Sequence, residues 1–233
     1  MKILALDTTS GACSVACYSN GQIAARFVQA ERGHTQRLLP MVDEVLVDAG
    51  IALSDLDAVA VSRGPGSFTG LRIAISCAQG LAFSADLPVV PVSSLSALAL
   101  GARRTHPEWG DAPIVSMLDA RMGQVYWGVF TAQSPNDSLL PEAVKSPEQV
   151  VLSLQEATLS APLYGAGPGW HYDRLRAVPV AGIDQNVPIR AEDILQLAMP
   201  LWQAGAAITA ETLEPRYLRN QITWQKRQKI RSR

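Results

Sequence analysis

The stretch Ala58-Val59-Ala60-Val61-Ser62-Arg63-Gly64-Pro65-Gly66-Ser67-Phe68-Thr69-Gly70-Leu71-Arg72 passes from an apolar run, through a glycine-rich loop, directly into a helical pattern. Five small or β-branched residues bounded by turn signals read as a buried strand. In a strand, loop, helix unit the amides of the loop and first helical turn point outward without partners, so they attract an anion or another chain. The same alternation extends on both sides. Strands are expected near 12–18, 21–28 and 88–92, and helices over 35–49, 69–83 and 94–103. Strands alternating with helices argue an α/β fold.

A second signal is an internal match at a spacing of 112 residues. Leu4-Ala5-Leu6-Asp7-Thr8-Thr9-Ser10-Gly11-Ala12-Cys13 aligns without gaps on Ser116-Met117-Leu118-Asp119-Ala120-Arg121-Met122-Gly123-Gln124-Val125. Each is an apolar strand ending in Asp, a turn with Gly four residues later, and a second apolar strand, which reads as a β-hairpin carrying the acid in its turn. Periodicity breaks across Arg103–Asp111, so the chain divides into 1–104, 105–215 and a basic end, 216–233. In the second part, strands are expected at 113–119 and 124–131, a polar stretch at 133–138, helices at 147–156 and 191–204, and turns at Gly165-Ala166-Gly167-Pro168-Gly169.

Several chemistries are excluded by what is missing. The loop at 64–72 has no lysine for a P-loop, and its glycines are spaced one residue too far apart for a dinucleotide fingerprint. The three histidines, His34, His106 and His171, form no H-x-x-H or H-E-x-x-H pattern, so a zinc or iron site is not expected. Gly66-Ser67-Phe68-Thr69-Gly70 is not the G-x-S-x-G of a serine nucleophile. Cys13, Cys17 and Cys77 lie in apolar segments without C-x-x-C spacing and read as small core residues. No apolar run is long enough to span a bilayer, and Asp7 follows the start too closely for a signal peptide, so a cytoplasmic protein without a membrane is expected. The net charge of −1 hides an asymmetry, because residues 216–233 hold seven basic residues and no acid. That end reads either as a phosphate or acidic-surface contact or as a solvated terminus.

The nine residues Gly64–Arg72 resemble the signature of the bacterial TsaB (YeaZ) family almost letter for letter. Leu4–Ser10, His34–Pro40, Asp119-Ala120-Arg121 and Glu214-Pro215-Arg216-Tyr217-Leu218-Arg219 extend that resemblance over nearly the whole chain. It implies an actin-like (ASKHA, ribonuclease H-like) fold of two similar lobes, the second degenerate. It also implies a non-catalytic part in threonylcarbamoylation of adenosine 37 of tRNA, through binding of the transferase TsaD together with TsaE. Proteins similar to TsaD carry paired histidines on the first helix, where His34-Thr35-Gln36-Arg37-Leu38 supplies one. In sugar kinases of this fold the first hairpin reads D-x-G-T, and Asp7-Thr8-Thr9-Ser10 lacks that glycine. The resemblance leaves room for ATP or ADP with magnesium at an interface shared with TsaD, where Asp7, Thr8, Thr9, Gly64, Gly66 and Ser67 are the expected contacts. Asp7 also reads as a structural turn residue.

Helix 69–83 presents apolar atoms on every side, with small residues at Gly70, Ser76, Cys77, Ala78, Gly80 and Ala82. A helix apolar all round must be covered all round, by its own core or by another chain. In helix 35–49 the stripe Leu38, Val42, Val45 and Ala49 leaves Met41 and Val47 off it. The resemblance favours association through these helices, with TsaD or, weakly, with a second copy. His34, Leu38, Met41, Val45, Thr69, Arg72, Ile73, Ser76 and Gly80 are the expected interface. Arg72 is expected to meet a carboxylate or phosphate there, and charge at Ala78 distinguishes a partner-facing side from core. Two alternatives compete: a small-molecule phosphotransferase using Asp7 and Asp119, and a tRNA-binding module acting through the basic end.

Overall fold

The computed structural model describes residues 1–29, 33–157, 159 and 162–219. The first sheet holds β1 (Lys2–Asp7), β2 (Ala12–Ser19), β3 (Gln22–Gln29), β4 (Ala58–Ser62) and β5 (Val89–Val92) in the order β3-β2-β1-β4-β5. The second holds β6 (Ile114–Asp119), β7 (Val125–Phe130), β8 (Ser138–Lys145), β9 (Tyr164–Ala166) and β10 (Gly182–Asp184) in the order β10-β9-β6-β7-β8. Each sheet is a three-stranded antiparallel meander with two parallel strands added beside its first strand. The internal match is therefore a repeat of topology. Its hairpins differ by one residue in the turn, since Asp7 pairs with Ser14 and Asp119 with Val125.

Period-two alternation sorts each central strand between two cores. Leu4, Leu6, Val59 and Val61 face α1 (His34–Ala49) and α2 (Phe68–Ser84), whereas Ile3, Ala5, Ala58 and Ala60 face the middle of the molecule. That middle layer consists of α3 (Ser94–Thr105) and α5 (Ala191–Gln203), packed on each other between the two sheets. The helices are exchanged: α3 packs on β6 and β7 of the second sheet, and α5 on β1 and β2 of the first. Alanines on the inner face of the first sheet let α5 come close. Between the two helices the guanidinium of Arg104 forks onto the buried carboxylate of Asp193, at 2.9 and 3.0 Å. On the outer face of the second sheet, Val115, Met117 and Trp127 share a third core with Trp170 and with Val150 and Leu154 of α4 (Pro147–Glu156), which packs beside β8.

The expected helices and first-sheet strands recur within one or two residues. The differences lie in the second half. The polar stretch ends at Ser138, where β8 begins; its mixed exposure at a sheet edge hides the apolar alternation. Gly165 and Ala166 are strand rather than turn, and the three glycines serve close packing. A Cβ at Gly165 would lie 2.6 Å from the ring of Trp170, and one at Gly169 2.7 Å from Cβ of Met117.

Candidate protein-protein interface

At the end of β4 the chain enters the glycine-rich loop, and Ser67 caps α2 by accepting from the amide of Gly70 at 3.3 Å. The loop is docked onto the turn of the first hairpin. The Ser67 amide donates to the Thr9 carbonyl at 2.8 Å, and the Thr8 hydroxyl donates to the Gly70 carbonyl at 2.6 Å. A Cβ at Gly70 would lie 1.8 Å from the Thr8 carbonyl oxygen, and one at Gly66 2.6 Å from that of Thr9. These glycines serve the close approach of two backbone segments.

The expected nucleotide contacts meet a different arrangement. Asp7, Thr8 and Thr9 are buried, and one Asp7 oxygen accepts both the hydroxyl (2.6 Å) and the amide (3.2 Å) of Thr9. Burial pushes the Asp7 carboxyl above its ordinary range, against the hydrogen bonds from Thr9. Gly64 is buried in a left-handed conformation, and of the six residues only Ser67 is exposed. The acid is a turn-closing group under a plug made by its own chain. Asp119 plays the matching part in the second hairpin, accepting from the Arg121 amide at 2.8 Å and from the Tyr172 hydroxyl at 3.1 Å.

A groove of about 640 Å³ runs between α1 and α2. Helical spacing creates it. Leu71, Ala74, Ile75, Ala78 and Ala82 turn to the sheet, leaving Ile73, Ser76, Cys77, Gly80 and Leu81 on the opposite side. Thr35, Leu38 and Leu39 of α1 form the facing wall. Ser76 and Gly80, four apart, line one face of α2 with little bulk. At the end of the groove the Arg72 guanidinium lies 3.8 Å over the ring of Phe68, itself 59% exposed, and donates weakly to the Tyr217 hydroxyl at 3.4 Å. Among the described residues no carboxylate pairs with Arg72.

Thr69, Arg72, Ile73, Ser76 and Gly80 of the expected interface therefore converge on one surface, whereas Leu38, only 1% exposed, is part of the core on which that surface rests. Met41 and Val45 do not reach it: they are 5% and 0% exposed and belong to the core beneath α1, one helical turn apart on its inner stripe. His34 begins α1 with its Nε2 buried and without a hydrogen-bond partner among the described residues, and it is not part of the groove lining. Ala78 is fully buried, so the side of α2 that carries it is core. Leu39 and Phe68 were not expected. Their signal was present, as large apolar residues off the buried stripes of their helices.

Two sheets of shared topology, a middle helical layer and a plugged first hairpin define a protein of the actin-like class. The family that matches, over residues 28–184, is described as "TsaD: tRNA N6-adenosine threonylcarbamoyltransferase". The chain is 40% identical to the tRNA threonylcarbamoyladenosine biosynthesis protein TsaB of Escherichia coli K12, over 97% of this chain and 98% of that one. The TsaB protein of Haemophilus influenzae is 39% identical over 97% of each. Among solved structures, YeaZ from Pseudomonas aeruginosa is similar at a TM-score of 0.84 and 42% identity, covering 93% of this chain and 99% of that one. The chain belongs to the TsaB family of tRNA threonylcarbamoyladenosine biosynthesis proteins.

Proposed function

We propose that this chain is a non-catalytic subunit of tRNA threonylcarbamoylation at adenosine 37, which binds a TsaD-like transferase through the groove between α1 and α2 and acts with a TsaE-like protein. The observation that carries this reading is the groove itself: an apolar, exposed surface on two rigid helices, floored by small residues and closed at one end by a cation. Such surfaces take an apolar helix face from a partner. The plugged Asp7 turn supports the absence of chemistry of its own. Any ATP or ADP with magnesium at the seam with the partner would meet the exposed Ser67 on this chain's side, because the other expected contacts are turned inward. In the absence of the partner, the same groove pairs two copies weakly.

Ser76→Glu tests the reading. Ser76 is exposed on the groove floor, so the variant keeps its fold and its melting temperature. Burying an unpaired carboxylate under a partner costs several kcal/mol, so affinity for the TsaD-like protein should drop at least about a hundredfold, read by titration calorimetry. Modification of tRNA by the reconstituted proteins should fall with it. Wild-type affinity in the folded variant would remove the groove from the interface, and tRNA modification by the isolated chain would overturn the non-catalytic role.

A further inference from the structure

Residues 213–219 cross from the first lobe to the second. Leu213 is buried, and its carbonyl accepts from the Gln79 side chain of α2 at 3.0 Å. The Arg216 amide donates to the Arg63 carbonyl at 2.8 Å, and its guanidinium pairs at 3.0 Å with Glu142 of β8, a carboxylate side chain only 4% exposed. Arg219 then reaches the turn of the second hairpin, donating to the Ala120 carbonyl at 3.0 Å and to Oε1 of Gln124 at 2.7 Å. That turn is unusual. Arg121, Met122 and Gly123 all have φ between 56° and 71°. Two successive non-glycine residues in the left-handed region persist only where neighbouring groups hold them, and Nη2 of Arg219, which makes both of these bonds, is such a group.

Between the two anchors sits Tyr217. Its ring lies 6.2 Å from that of Phe68, and its hydroxyl takes the weak bond from Arg72. Phe68 and Arg72 are the end wall of the groove, and Tyr217, about half exposed, continues that wall. The segment is thus a strap whose middle builds the partner surface and whose end is fastened to the other lobe.

We propose that Arg219 is a positioning residue for the partner surface: by clamping the Ala120–Gln124 turn it holds Tyr217 against Phe68 and Arg72, so that the end of the groove is assembled from both lobes. The inference rests on the groove being the seat of the TsaD-like partner. The partner end that fits there is apolar with a carboxylate, meeting the two rings and the outer edge of the guanidinium.

The test uses the full chain carrying Arg219→Ala or Gln124→Ala, which cut the same clamp from opposite ends. Two measurements are made on each: the rate of maleimide labelling at Cys77, the partly exposed cysteine on the groove lining, and affinity for the TsaD-like protein. Losing hydrogen bonds to a charged group in the clamp should weaken partner binding by about tenfold in both variants. Cys77 labelling should rise severalfold in both while the thermal transition remains cooperative. Unchanged labelling in both clamp variants would overturn the proposal. So would a binding loss confined to Arg219→Ala, since Arg219 would then touch the partner directly. If the wild-type chain does not bind a TsaD-like protein, the functional reading fails, and the labelling rates still decide whether the clamp holds the groove.

Discussion

At Gly70 the start of α2 meets the first hairpin backbone to backbone. Any side chain there would drive into the Thr8 carbonyl, separating the loop from the hairpin and moving the start of α2. The nine residues 64–72 were legible as a special loop, yet their physical role was not. Glycines that admit a phosphate and glycines that admit another backbone look identical in sequence, and only the position of Thr8 and Thr9 separates them. Ala78 teaches the same lesson on α2, two residues from Ser76 but about 200° around the helix. With Ala78 fully buried, Ala78→Glu places a carboxylate in the core, at a cost of several kcal/mol against a total stability of about 5–15 kcal/mol. Circular dichroism should show a melting temperature lower by roughly 10 °C or more, or no cooperative transition. A variant that melts like wild type would mean that this side of α2 is solvent-facing after all.

Among the elements, the helices and the central strands were readable because their periodicities are strong and both faces of each sheet are buried. The edge strands β8 and β10 and the three-residue β9 were not, since they are short or half exposed and carry glycine or proline. Apolar faces of α1 and α2 were visible as an excess of hydrophobic residues, but dividing them between core and groove needed the sheet underneath. One element junction depends on pH. The imidazole of His106, at the end of α3, contacts Asp184 of β10 at 2.8 Å and Glu108 at 2.9 Å, and stacks on Trp109 at 4.2 Å. The hydrogen bond to Asp184, joined by that to Glu108 and opposed by burial, raises its pKa above 6.5. A raised folded-state value stabilises the protein fully below the unfolded pKa and ceases to do so as pH rises through the folded one. The melting-temperature advantage of wild type over His106→Gln should therefore shrink as pH is taken from about 6 to about 8.5. An advantage that is flat or grows with pH would exclude the charged clamp.

At the scale of the molecule, the repeat of topology was legible from two aligned hairpins, whereas the exchange of α3 and α5 was not, because no local pattern states which sheet a buried helix will cover. The basic end divides in two. Arg216 and Arg219 are spent on internal contacts, while Lys226, Arg227, Lys229, Arg231 and Arg233 lie outside the described residues. A chain ending at Pro215 leaves Glu142 buried without its cation and should melt roughly 5 °C or more below one ending at Arg219. Equal melting of the two by calorimetry would show that the strap is not fastened. Truncation at Tyr217 is a poor probe of tRNA contact, since it also removes the clamp. The exchanged helices also bear on how the protein is made. Because α5 supplies the inner cover of the first sheet, a nascent chain has β1 through β5 complete by Val92 but keeps the alanine-lined face of that sheet bare until Gln203 has left the ribosome. More than a hundred codons of translation separate the two events, an interval in which the half-built sheet is a natural client for a chaperone.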